Sequence, residues 1–179
     1  MSKTLVAYFS VSGVTRRIAE DLANLEQADL FEIKPQTPYT PADLDWKDKQ
    51  SRSSLEMQDL HCRPEMTEMV SDMAQYEKVF LGFPIWWERE PSIVDTFLEL
   101  HDFSGKKIIP FCTSGGSGIG ETAKRLQELA GEKAVVKEGA RLGGDVSEED
   151  LKIWTQGLNR TRSDQTGFPS RFAQQADDM

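Results

Sequence analysis

An open, doubly wound α/β sheet is the fold class this sequence predicts, on two observations. Short continuous apolar runs at residues 3–9, 78–84 and 107–112 alternate with segments whose apolar residues recur every three or four positions. Residues 3–33 read strand, helix, strand, and a crossover of that length joins parallel strands with a right-handed turn. Five strands result, with helices between them.

The first strand, residues 3–9, is an apolar run from Leu5 to Phe9. The helix over 14–25 sets Val14, Ile18, Leu22 and Leu25 on one face. Residues 28–33 alternate around Leu30 and Phe31 as the second strand. Over 34–65 the pattern breaks at Pro35, Pro38, Pro41 and Pro64, so we expect a long excursion with one short helix around 43–52. Trp46, alone there, serves either to pin the loop to the core or to cover a ligand. Met66, Met69, Val70 and Met73 stand at helical spacing and read as core packing.

Residues 78–84 form the third strand. Pro91 opens a helix over 92–100. The fourth strand, 107–112, leads through a glycine-rich loop to a helix reaching Leu129, with Gly131 as its C-cap. Residues 133–137 and 140–142 suggest a fifth strand, interrupted at Glu138-Gly139. Ser147 and Asp150 have capping-box spacing at the start of a last helix to Leu158. We read one domain over 1–159, with 34–65 as a long loop insertion, and a polar tail, 160–179, expected to be mobile.

The 179 residues suffice for one domain with a sizeable core. A net charge of −9 argues against nucleic-acid or membrane-surface binding. The two cysteines, Cys62 and Cys112, lie far apart, and residues 1–4 run into a strand without a signal-peptide pattern. The expectation is a cytoplasmic protein. No apolar run has the length of a membrane span. His61 and His101 are isolated and read as surface residues, and Cys112 as an inert buried thiol. Arg16 and Arg17 open the first helix, facing either solvent or an anion.

Ligands of doubly wound sheets bind beyond the carboxyl ends of the strands. Three unusual stretches fall there. Ser10-Val11-Ser12-Gly13-Val14-Thr15 follows the first strand, where three hydroxyls and a glycine meet the amides of a helix start. Alone, these residues also describe a plain helix cap. Pro84-Ile85-Trp86-Trp87 follows the third strand and offers two planar rings. Thr113-Ser114-Gly115-Gly116-Ser117-Gly118 follows the fourth and can bring backbone amides against the polar edge of a ring. Phosphate at one end and an aromatic system at the other describe a mononucleotide-like ligand. The chain lacks G-x-x-x-x-G-K-[ST], and its first turn is not G-x-G-x-x-G, which argues against a P-loop and a dinucleotide site.

The first loop resembles the T/S-x-T/S-G-x-T phosphate loop of the flavodoxins. Gly82-Phe83-Pro84-Ile85-Trp86-Trp87 and Phe111-Cys112-Thr113-Ser114-Gly115-Gly116-Ser117-Gly118 resemble the second and third loops of one branch, and Asp43-Leu44-Asp45-Trp46 its insertion. The resemblance runs over residues 3–158. It implies strand order 2-1-3-4-5 and non-covalent FMN. By position, Ser10, Ser12, Gly13, Val14 and Thr15 would hold the phosphate. Pro84, Ile85, Trp86 and Trp87 would lie along the isoalloxazine, with Ser114, Gly115, Gly116 and Gly118 at its far edge. The sequence departs at Trp87-Glu88-Arg89-Glu90, where relatives often place glycine. A carboxylate turned toward the ring would lower the flavin potential and Arg89 would raise it; all three charges facing solvent is the third arrangement. The resemblance implies electron transfer, either as a carrier docking on redox partner proteins or as an NAD(P)H-dependent reductase of quinone-type acceptors. A non-redox ligand-sensing module is a further alternative. No catalytic residue and no metal site is expected, and the oligomeric state stays open.

Overall fold

The apolar run of the first strand, β1 (Lys3–Tyr8), alternates between the two faces of a sheet. Leu5, Ala7 and Phe9 join one buried cluster, Val6 and Tyr8 the other. The computed structural model describes residues 3–87, 89–113, 119 and 122–158. Its elements follow in order as α1 (Val14–Glu26), β2 (Asp29–Glu32), α2 (Arg52–Gln58), β3 (Tyr76–Pro84), α3 (Ser92–Leu100), β4 (Lys107–Thr113), α4 (Thr122–Ala130), β5 (Val135–Val136), β6 (Ala140–Arg141) and α5 (Glu148–Leu158). Strand order is β2-β1-β3-β4-β5, with β6 also on β4, and every pairing is parallel. The expected doubly wound sheet of order 2-1-3-4-5 is what the chain forms.

On one face α1 and α5 place Ile18, Leu22, Leu151 and Trp154 over Val6, Phe80 and Phe111. On the other, α3 and α4 place Ile93, Phe97 and Leu126 over Leu5, Val79 and Ile108. Gly82 sits where a Cβ would fall 2.2 Å from the Phe111 ring, so β3 gives up a side chain there for the neighbouring phenylalanine.

The fifth strand is split as expected. Lys107 and Ile108 pair with β5, Phe111 and Cys112 with β6. On that edge the even-numbered residues accept, Lys106 just before β4 and Ile108 and Cys112 within it. Pro110 is the even residue between them and has no N–H to donate, so the ladder breaks there.

One expected helix is corrected, and one stretch of helical spacing is not a helix. Residues 43–50 form turns, because side chains capture the amides: Asp43 N–H donates to Thr40 Oγ1, Lys47 N–H to Asp45 Oδ1 and Gln50 N–H to Asp48 Oδ1. The helix starts after Ser51, whose Oγ accepts the Ser54 N–H. Residues 65–72 are not helical either. Thr67 N–H donates to Lys34 O, Gln36 N–H to Glu65 O, and Val70 N–H to His101 Nε2. Met66, Val70 and Met73 still pack on the core, while Met69 is exposed. The spacing reported burial for three of the four residues, not for Met69, and it did not report conformation. The same bonds tie residues 34–36 to 65–67, closing the insertion at its stem.

Gly131, in the left-handed region at φ +97°, follows α4, and its N–H donates to Gln127 O. Ser147 and Asp150 exchange backbone-to-side-chain bonds of 3.0 and 3.1 Å at the start of α5, the expected box. Cys112 is buried, and burial pushes its thiol up to about 12.

His101 is half-buried rather than exposed. Its ring packs on Phe97, with centroids 4.8 Å apart. Nε2 accepts the Val70 N–H at 3.0 Å, so Nδ1 carries the proton and donates to Phe97 O at 2.8 Å. Burial holds its pKa below the ordinary imidazole value. The unfolded chain therefore takes up this proton more readily than the folded one. Stability is full above about pH 6.5 and falls as pH drops through the folded pKa. We expect the urea midpoint to decline over that interval, and His101→Gln to remove that part of the decline.

Candidate functional site

β1, β3 and β4 end at the same edge, which brings the loop after Tyr8 beside the loop after Pro84. Phe9 N–H donates to Gly82 O, and Ile85 N–H to Thr113 O, so both loops leave from fixed strand ends.

The first loop differs from an ordinary helix cap. Gly13 itself occupies the N-cap position, at φ +95°, without a capping side chain. Ser10 Oγ accepts the Gly13 N–H at 3.1 Å, and Ser12 Oγ lies 3.5 Å from the Val14 N. Each serine thus keeps its hydroxyl hydrogen, with no acceptor for it among the described residues. Thr15 Oγ1 and Thr113 Oγ1 share one hydrogen bond of 2.7 Å, which leaves that buried pair one hydrogen to give. The first turn of α1 has no acidic residue. Helix-start amides, three spare hydroxyl hydrogens and no first-turn carboxylate are the chemistry that suits an anion. Neither arginine takes part through a recorded bond there. Arg16 binds Glu32 and the Tyr8 hydroxyl; Arg17 binds Asp21 and the carbonyls of Gly144 and Val146.

The two tryptophans of the second loop separate in role. Trp86 meets Phe9 and Tyr39 edge-on, with centroids at 5.7 and 5.4 Å, and so wedges the insertion against the sheet. Trp87 is 46% exposed and left-handed at φ +47°. Trp86 and Arg89 exchange both backbone hydrogen bonds across it, 2.9 and 3.1 Å, closing a two-residue turn. A tryptophan in that region costs about 1–2 kcal/mol, so the turn must be held from outside.

Arg89 and Glu90 hold it. The Arg89 side chain is mostly buried and donates to Met57 O, Ser92 Oγ and Glu90 O. Glu90 and Asp95 are fully buried. Arg125 of α4 bridges them, with Nε 2.7 Å from Glu90 Oε2 and NH2 2.7 Å from Asp95 Oδ2. Arg89 lies 3.7 and 3.6 Å from the same oxygens, and Arg63 3.7 Å from Asp95. The arrangement with all three charges in solvent does not form: Arg89 and Glu90 are turned into a buried ion cluster with Asp95 and Arg125. The sequence reading passed over Asp95 and Arg125. A buried acid in the first turn of a helix rich in apolar residues was the available signal. Glu88 lies outside the described residues, as do Ser114, Gly115, Gly116, Gly118 and the tail 160–179.

The insertion meets this edge. Glu56 O accepts from Ser92 Oγ, Tyr39 donates to Glu56, and Arg52 stacks 3.9 Å over the Tyr39 ring. Between the insertion and the two loops lies a cavity of 390 Å³, lined by Val11, Leu44, Trp46, Ser53, Ile85, Trp86 and Trp87. Trp46 does not pin the loop; it is 68% exposed and forms a wall of that cavity. Pro84 is the last residue of β3, directly before the lining residue Ile85.

Comparison with known proteins agrees with this geometry. A flavodoxin family profile matches residues 3–158. A protein from Bacteroides eggerthii assigned as a flavoprotein is 43% identical, with 90% of this chain and 100% of that one covered, at a TM-score of 0.83. One from Bacteroides uniformis, similarly assigned, is 44% identical over 87% and 98%, at 0.82. A flavoprotein in complex with FMN from Lactobacillus acidophilus shares the fold, with 22% identity over 87% and 99% and a TM-score of 0.64. The comparison with curated proteins found no match.

Proposed function

Because the chain belongs to the flavodoxin family, we propose that it binds FMN non-covalently at this edge and transfers electrons. The observation that carries the reading is the first loop. Its helix start has no side-chain cap and no first-turn carboxylate, and its three spare hydroxyl hydrogens suit a phosphate ester. Ser10, Ser12, Gly13, Val14 and Thr15 would hold that phosphate, and Pro84, Ile85, Trp86 and Trp87 would line the ring. Bound FMN would supply one- and two-electron chemistry. The chain's part is to exclude water and fix the ring against a clamped turn.

The acidic chain, at −9, suits a carrier docking on basic surfaces of redox partner proteins. One observation favours the second reading, an FMN-dependent NAD(P)H reductase of a small acceptor. The insertion adds Leu44, Trp46 and Ser53 as walls of a cavity that also includes Ile85, Trp86 and Trp87, and a carrier does not need such walls around the ring. No helix among the described residues is long and apolar enough to cross a membrane, and we take a cytoplasmic oxidoreductase as part of the proposal.

The visible spectrum tests the reading. We expect the purified protein to be yellow, or to turn yellow with FMN. Anaerobic NADH or NADPH that bleaches it directly supports the reductase; bleaching only with a separate reductase supports the carrier. A protein that takes up no FMN would sink both.

A further inference from the structure

The arginines of the buried ion cluster all address the same two carboxylate oxygens. Arg125 Nε and Nη2 reach Glu90 Oε2 and Asp95 Oδ2, and Arg89 Nη1 lies closest to those same two. Arg63 Nη1 lies 3.7 Å from Asp95 Oδ2. The other two oxygens, Glu90 Oε1 and Asp95 Oδ1, are buried without a hydrogen-bond partner among the described residues. Both side chains are closed off from solvent. A buried carboxylate oxygen without a donor is costly, and two of them on adjoining carboxyls also repel.

One proton answers for both oxygens. The Glu90 and Asp95 carboxyls stand within hydrogen-bonding reach of each other. A proton between Oε1 and Oδ1 makes one oxygen a donor and the other an acceptor, and it cancels one of two like charges. The charged groups facing the pair are Arg89 from the second loop, Arg125 from α4 and Arg63 from the end of the insertion, which Glu99 of α3 also binds. The Cys62 thiol is the further titratable neighbour, beside Arg63 and Arg89. The three cations already sit on Oε2 and Oδ2, so none of them provides a donor for a second charge on Oε1 or Oδ1. Burial, and after it the Asp95 carboxyl, push Glu90 up to about 8, in keeping with a proton retained at neutral pH.

We propose that Glu90 and Asp95 share one proton between Oε1 and Oδ1, and that this carboxyl pair positions the second loop so that flavin binding is controlled by pH. Loss of the proton leaves two like charges side by side, and the pair spreads. The pair anchors Arg89, whose side chain braces the left-handed Trp87 turn through Glu90 O, Ser92 Oγ and Met57 O. Glu90 and Asp95 thus act through Arg89 and are positioning residues. The inference rests on the flavin reading of this edge, in which Trp87 lines the ring.

Infrared spectra of the full chain without FMN read the proton directly. The parent should show a protonated-carboxyl band at about pH 7 that is largely gone by about pH 9. Glu90→Gln and Asp95→Asn should each lack it, because either amide donates an N–H to the remaining carboxylate at nearly constant shape. FMN should bind the protonated pair about 10-fold more tightly than the ionised one. Parent affinity, read by quenching of FMN fluorescence, should then weaken about 5-fold between about pH 7 and pH 9, a range above the titration of the phosphate itself. Both amide variants should keep the parent's neutral-pH affinity throughout. A parent without the band at neutral pH, or a band that survives Asp95→Asn, would overturn the shared proton. Parent affinity flat over this range, or falling as steeply in both variants, would overturn the control of the site. The parent's two profiles decide the matter where a variant fails to fold. A parent that takes up no FMN would overturn the flavin reading and this control with it, while the infrared band would still decide the shared proton.

Discussion

Gly13→Asp should reduce FMN affinity at least about 100-fold while leaving the apo-protein folded. A Cβ at Gly13 would meet nothing within 4 Å, so the substitution does not clash. Its costs are conformational and electrostatic. At φ +95° a side chain is strained, though aspartate tolerates the left-handed region better than most. A carboxylate at a helix start is favourable in itself, since it caps the amides and complements the helix dipole. The apo-protein therefore gains part of what it loses. The ligand complex gains nothing. A phosphate monoester carries nearly two negative charges near neutral pH. At about 5 Å and an effective dielectric near 20, each charge pair costs roughly 3 kcal/mol. One such pair already gives two decades in Kd. Gly13→Ala separates the terms, because it has the backbone strain without the charge and should lose far less. Quenching of FMN fluorescence measures both. Equal affinity in parent and Gly13→Asp would put the phosphate elsewhere.

The same loop shows what was legible beforehand. Its hydroxyls and glycine, its place after a buried strand and the rhythm of α1 are local properties, and local properties survive folding. The strand pattern was legible for the same reason, down to the break near Gly139, although its cause, the missing donor of Pro110 on the outer edge of β4, needs the pairing partner to be seen. Residues 65–72 failed because apolar spacing reports which side chains are buried; it says nothing of amides claimed by Lys34 and His101 across the fold. The split of Trp86 from Trp87 was hidden likewise. Two identical neighbours read alike in a string, yet one faces Phe9 and Tyr39 while the other crosses a turn.

Arg125→Met should lower stability by about 3–5 kcal/mol, the range for removing one member of a buried ion cluster, and lower the melting temperature by roughly 10 °C. The change keeps an apolar stem and deletes the charge. It leaves Glu90 and Asp95, both fully buried, without their nearest cation, and Arg89 and Arg63 stand 3.6–3.7 Å away at less favourable distances. Even with Arg125 in place, Glu90 Oε1 and Asp95 Oδ1 have no partner among the described residues. Burial first, and the Asp95 carboxyl beside it second, push Glu90 up to about 8. The folded protein therefore holds this proton at a pH where the unfolded chain, near 4.3, has released it. Glu90's contribution to stability is full below that value and is lost as pH rises through about 8. Removing Arg125 withdraws the cation that favours ionisation, so the deficit should be smallest near pH 5 and largest near pH 9. Glu90→Gln in the Arg125→Met background deletes the stranded charge at constant shape, and should recover part of the loss and flatten the profile. Urea midpoints across that range read all three effects. A loss under about 1 kcal/mol, or one equal at both ends of the range, would mean that the cluster does not carry the second loop. If it does, the Arg125→Met protein should also bind FMN more weakly at high pH than at low. The left-handed Trp87 turn is held through Arg89, and Arg89 is held by the same two carboxylates that Arg125 neutralises.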